Sequence, residues 1–109
     1  MAYDEGLAQR VREAMGELPG YVEKKMFGGV GFMLHGNMAC GVNGEDLIVR
    51  VGPERYESAL AGRHTRPFDM TGRPMRGWVV ITAEGCAADQ DLKAWVQQGV
   101  EYALSLPAK

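Results

Sequence analysis

The strongest constraint on the fold of this chain is a change of hydrophobic period near residue 21. Before it, Leu7, Val11, Met15 and Leu18 recur at steps of four, four and three, the spacing of one helix face. After it the period is two: Val22, Lys24 and Met26, then Val30, Phe32 and Leu34, then Met38, Cys40 and Val42, then Leu47, Val49 and Val51. Between these runs stand Gly28-Gly29, His35-Gly36-Asn37 and Asn43-Gly44-Glu45-Asp46, residues that supply tight turns. The spacing predicts a helix over Tyr3–Leu18, capped by Asp4 and stopped at Pro19-Gly20, followed by four short antiparallel strands between Tyr21 and Val51.

Pro53 can open a short helix that buries Tyr56, Ala59 and Leu60 and ends near Gly62. Arg63 to Gly77 is punctuated by Pro67, Gly72, Pro74 and Gly77, with Phe68 and Met70 alternating inward, and reads as an irregular edge strand followed by a loop. Trp78–Thr82 reads as a better strand, closed by Glu84-Gly85. A last helix over Asp89–Leu106 carries Leu92, Trp95, Val96, Gly99, Val100, Ala103 and Leu104 on one stripe, with Asp89 and Asp91 at its positive end. The expected class is α+β: helix, antiparallel β-meander of four strands, short helix, one or two further strands, C-terminal helix, with the helices packed on a mostly antiparallel sheet. Strands and helices do not alternate as a parallel βαβ sheet requires, so a Rossmann core is not expected. At 109 residues, one domain spanning 1–109 accounts for the chain.

Charge narrows the partners. Fourteen acidic against 12 basic residues give a net charge of −2, so no bulk attraction draws the chain to nucleic acid or an anionic membrane. No apolar run reaches the ~18 residues that span a bilayer, and the polar, acidic N-terminus is unlike a signal peptide, so no membrane contact and a cytoplasmic location are expected. Cys40 and Cys86 are too few for a disulfide framework and are expected to be reduced. The 15 glycines, about twice average usage, fit tight turns between short strands.

The glycine cluster in Lys25-Met26-Phe27-Gly28-Gly29-Val30-Gly31 invites a phosphate-loop reading that its spacing refuses. A dinucleotide fingerprint would need a third glycine where Leu34 stands, and Gly36 through Gly41 is followed by Val42, not by the lysine of a Walker loop. A hairpin turn, with Gly28 or Gly29 in a backbone region closed to other residues, is expected instead. Cys40, Cys86, His35 and His64 lack metal-ligand spacing, and Cys40 falls in an inward phase, so no metal site and no thiol nucleophile is expected. The carboxylates Glu5, Glu13, Glu17, Glu54 and Glu57 fall on solvated faces, so no catalytic residue and no cofactor is assigned. Arginine is less even. Arg50, Arg55, Arg63, Arg66, Arg73 and Arg76 face only Glu54, Glu57 and Asp69 in the same stretch, a local +3 in a chain that is otherwise acidic. Trp95 belongs to the last helix's core stripe, whereas Trp78 begins a strand beside Gly77 and the arginines, where a partly exposed indole would be an interface anchor.

From Lys24-Lys25-Met26-Phe27-Gly28-Gly29, through Asn37-Met38-Ala39-Cys40-Gly41-Val42 and Leu47-Ile48-Val49-Arg50-Val51-Gly52, to Arg66-Pro67-Phe68-Asp69-Met70-Thr71-Gly72-Arg73-Pro74-Met75-Arg76-Gly77-Trp78, the chain resembles the TfoX (Sxy) family N-terminal domain. The likeness covers nearly the whole chain and is nearest to short members made of this domain alone. It implies an α+β domain of the type related to secretion-chaperone-like folds, which often pair as homodimers. It also implies kinship with regulators of natural competence, thought to act with a transcription activator and not as DNA readers by themselves. The signature positions are the turn Met26, Phe27, Gly28 and Gly29, together with Arg50 and the Thr71–Trp78 segment.

The expected function is therefore a non-enzymatic regulatory or protein-interaction domain. Its candidate surface is Arg50, Arg66, Arg73, Met75, Arg76 and Trp78, and Met33, Met70 and Met75 supply adaptable apolar contact. A homodimer or a protein partner is expected, because a meander with a proline-interrupted last strand leaves an open edge. The alternatives are a nucleic-acid-binding accessory using the Arg50–Arg76 patch and a small-ligand-binding domain or enzyme.

Overall fold

A computed structural model describes residues 3–26, 28–69, 72 and 74–108. Its elements run α1 (Glu5–Met15), β1 (Tyr21–Met26), β2 (Gly29–Leu34), β3 (Asn37–Asn43), β4 (Asp46–Arg50), α2 (Tyr56–Leu60), β5 (Thr65–Asp69), β6 (Pro74–Ile81), a 3₁₀ turn over Ala83–Cys86, and α3 (Asp89–Ser105). The six strands form one antiparallel sheet in the order β1-β2-β3-β4-β6-β5. This is the α+β class expected from the periodicity. None of the helices among the described residues is long and apolar enough to cross a membrane.

Helix α1 starts as its sequence dictates, with the Asp4 carboxylate accepting from the Leu7 N–H at 3.1 Å. It closes three residues earlier than expected, at Gly16, whose N–H donates to the Arg12 carbonyl. Leu18 packs against the core from the irregular segment that follows. The helices cover one face of the sheet. There Leu7, Val11 and Met15 of α1, Tyr56 and Ala59 of α2, and Leu92, Val96, Val100 and Ala103 of α3 meet Val30, Phe32, Leu34, Cys40, Val42, Leu47, Val49, Val79 and Ile81 in one cluster. Leu104 is not part of it. At the solvent edge of the α3 stripe it is 49% exposed.

Three strand assignments change in the folded chain. β6 begins at Pro74 and not at Trp78, because Asp69 pairs with Pro74 and the expected loop is a hairpin whose first strand, β5, is the sheet edge. Pro67 is tolerated there, beside a register shift, because an edge strand leaves one side without a ladder partner. Met38 leaves the phase of Cys40 and Val42, because a bulge opposite Phe32 and Met33 inserts Ala39 and turns Met38 to the other face. Phe68 is buried, but with Ile48 and Val80 on that other face and not under the helices, while Met70 lies outside the described residues.

β1 also presents its apolar phase to the helix-free side. Val22 is 51% exposed, whereas Tyr21 and Glu23 face α1. Arg12 of α1 donates through Nε to Glu23 Oε2 at 2.7 Å, the Tyr21 hydroxyl donates to the same oxygen at 2.7 Å, and the Tyr21 ring stacks on Phe32 with centroids 6.4 Å apart. A polar phase faces the core side of this edge strand because α1 supplies its partner.

Candidate functional site

The helix-free face is continuous from edge to edge. Register places Lys24, Gly31, Gly41, Ile48, Val80 and Arg66 in one row across all six strands, and Val22, Met33 and Met38 in a second row across the first three. The paired glycines make a shallow strip that methionine side chains fill. A Cβ at Gly31 would stand 3.1 Å from Met26 Cε, and one at Gly41 would stand 2.7 Å from Met38 Cε. Beyond that strip Ile48, Phe68 and Val80 are buried with Trp78 packed against them, in a cluster drawn from strands alone. The Phe68 and Trp78 rings are 6.0 Å apart. Arg66 on β5 reaches across β6 to Asp46 on β4 at 2.7 Å, so an ion pair spans the strand that carries Val80. A cleft of about 200 Å³ lies here, lined by Asn43, Ile48, Arg66, Phe68 and Val80 among others.

At the end of β4, Arg50 is paired in register with Trp78. Its guanidinium carbon lies 5.2 Å from the Trp78 ring centroid and 5.3 Å from that of Tyr102, in the last turns of α3. The seat of Tyr102 is set by Gly52, where φ is +90° and a Cβ would stand 2.5 Å from the ring. Beside this, Val51, Gly52, Pro53, Glu54, Arg55, Glu101, Tyr102 and Ser105 line a cleft of about 450 Å³, braced by the Arg55–Glu101 ion pair at 3.1 Å. Arg76 lies over Tyr56, 5.9 Å from its centroid. The Val51 and Gly52 N–H groups both donate to the Gly77 carbonyl between these two arginine–aromatic contacts.

The candidate residues from sequence therefore divide. Arg50 and Trp78 are in direct contact, Met75 is 37% exposed on the same strand as Trp78, and Arg76 sits on Tyr56. Arg66 is engaged with Asp46 and Arg55 with Glu101, so they do not extend one free cationic stripe. Arg73 and Phe27 lie outside the described residues. In the signature turn, Gly28 has φ +74°, and a Cβ at Gly29 would run into the Val42 carbonyl oxygen, while Met26 covers Gly31 on the helix-free face. Sequence reasoning did not single out Val22, Met38, Ile48, Val80 or Tyr102. The runs Leu47-Ile48-Val49 and Val79-Val80-Ile81 carried the signal for two of them, since an unbroken apolar strand places apolar side chains on both faces of the sheet.

Both cysteines are free and buried. Burial alone pushes the Cys40 thiol up to about 12, and burial likewise raises Cys86, whose Sγ donates to the Thr82 carbonyl at 3.5 Å. Among the described residues no three His, Cys, Asp or Glu side chains come together in a metal-binding group.

The model of the TfoX N-terminal domain family matches residues 13–103 of the 109. No curated protein matches the chain.

Proposed function

The chain belongs to the TfoX N-terminal domain family, and from that premise we propose that it is a non-enzymatic, competence-regulator-like domain that works in the cytoplasm by protein–protein contact. It acts as a homodimer or with a protein partner, and its contact surface is the helix-free face of the sheet. One observation carries this reading. Trp78 is half-buried on a sheet face that has its own apolar cluster but, among the described residues, no covering helix, with Met75 exposed on the same strand. Methionines fold over glycines along the rest of that face, and such side chains repack readily against a second surface. A half-exposed indole in that setting is a favoured interface anchor.

The test uses the full chain and two variants, Trp78→Ala and Met75→Glu, each shown by circular dichroism to fold. Light scattering after gel filtration reads self-association, and retention of host proteins on the immobilised chain reads a partner. The reading expects wild type to form a two-chain species or to retain a specific host protein, and both variants to lose it. Equal mass and equal retention across all three proteins refute it.

A further inference from the structure

We infer that Arg50 is a carboxylate-recognition residue, presented by Trp78 and Tyr102 to an acidic side chain flanked by apolar residues on a partner protein. This rests on the reading of the helix-free face as a contact surface and adds what that surface selects. Arg10, Arg12, Arg55 and Arg66 each meet a carboxylate within 4 Å. Arg50, though partly buried, meets none among the described residues, and none of the hydrogen bonds found there involves its guanidinium. What holds it is aromatic: the Trp78 and Tyr102 rings, with Tyr102 seated on Gly52. A cation–π contact engages the plane of a guanidinium and leaves its N–H edge to make hydrogen bonds, and a carboxylate matches that edge with two parallel bonds. Arg76, on Tyr56, is likewise without a carboxylate among the described residues, so a second uncompensated positive charge stands on the far side of Gly77.

The neighbours choose the source of the carboxylate. Trp78 continues into Phe68, Ile48 and Val80, so the occupant needs apolar side chains next to its acid. A nucleic-acid backbone fits poorly. The flanking Arg55 and Arg66 are already in ion pairs, so they add no free cations to hold a run of phosphates, whereas one carboxylate needs only the one guanidinium.

The experiment is a nitrogen-15 NMR titration of the full chain with the peptide acetyl-Leu-Glu-Leu-amide, its neutral counterpart acetyl-Leu-Gln-Leu-amide, and a twelve-residue oligothymidylate. The Trp78 indole N–H and the Arg50 Nε–H are the reporters. The glutamate peptide is expected to shift both and to bind about threefold or more tightly than the glutamine peptide. Arg50→Gln is expected to erase that preference, and Arg50→Lys, which keeps the charge and the fold but not the fork, to weaken it. Equal binding of the two peptides overturns the carboxylate assignment while leaving the contact surface standing. Stronger shifts of the same two signals by the oligonucleotide, or no shift with either peptide, also overturn it. The fate of the contact surface is decided separately, by the Trp78 and Met75 variants.

Discussion

Tyr102 of α3 packs against Gly52, so close that a Cβ on Gly52 would stand 2.5 Å from its ring. The contact fixes the end of the long helix against the end of β4 and, through Tyr102, the position of Arg50. Backbone φ at Gly52 is +90°, a region that L side chains rarely adopt. Gly52→Ala combines the two penalties and is expected to lower stability by about 1–3 kcal/mol. Tyr102 is displaced, so Trp78 fluorescence shifts as Arg50 loses its second ring. Urea unfolding followed by tryptophan emission checks both, and an unchanged midpoint with an unchanged spectrum contradicts the packing described.

Gly28 and Gly29 sit side by side and fail for different reasons. Gly28 is exposed and needs its φ of +74°, so Gly28→Ala is expected to cost about 1 kcal/mol through backbone strain. Gly29 faces the Val42 carbonyl on the neighbouring strand, and backbone cannot step aside as a side chain can. Gly29→Ala is expected to cost about 2 kcal/mol or more. Denaturation midpoints in the reverse order contradict this account of the turn.

The strand order and the turns were largely legible because alternation and turn residues are local signals, as in the His35-Gly36 turn between β2 and β3. The face of each residue was less so. One inserted residue, Ala39, reverses Met38, and no pattern of polar and apolar residues announces a bulge. Phe68 alternates correctly, but alternation alone does not say which of two apolar faces it joins, and here both faces are apolar. Of the site, Trp78 and Arg50 were visible as an aromatic and a cation in one basic stretch. Tyr102 was not, because its role depends on where α3 ends relative to Gly52, some 50 residues away in sequence. Arginine count likewise overstated the patch, since Asp46 and Glu101, both outside the counted stretch, neutralise Arg66 and Arg55.

The thiols are expected to be silent in the folded protein. Cys40 is fully enclosed, burial raises its thiol to about 12, and Cys86 is raised for the same reason. An Ellman titration is expected to find no rapidly reacting thiol in buffer and two in denaturant, with the same melting temperature with and without reductant. Rapid reaction of either cysteine in the native protein, or a drop of several degrees on reduction, contradicts it.

Glu23 sets an acid limit on α1 docking. Burial works against its charged form, but the hydrogen bonds from Arg12 and Tyr21 outweigh that and hold its carboxyl below the usual carboxylate range. A folded pKa that is depressed gives stability that is complete above the unfolded value, about 4.3, and lost as pH falls through the folded one. The side chains are about one-third exposed, so solvent screening keeps the effect small. Glu23→Gln is expected to be about 0.5–1 kcal/mol less stable than wild type near neutrality and to converge with it as pH falls below the usual carboxylate range. A constant difference across that range contradicts the linkage.

The central claim, that the helix-free face around Trp78 is the working surface, is tested most directly by photo-crosslinking inside the host cell. A photoreactive amino acid is placed at Met75, next to that face, and in a control protein at Lys93, exposed on α3. The account predicts a discrete crosslinked species from position 75, to a second copy or to another protein, that is missing from position 93 and is lost when Trp78→Ala is added. Crosslinks equally abundant from both positions, or none from position 75, contradict it.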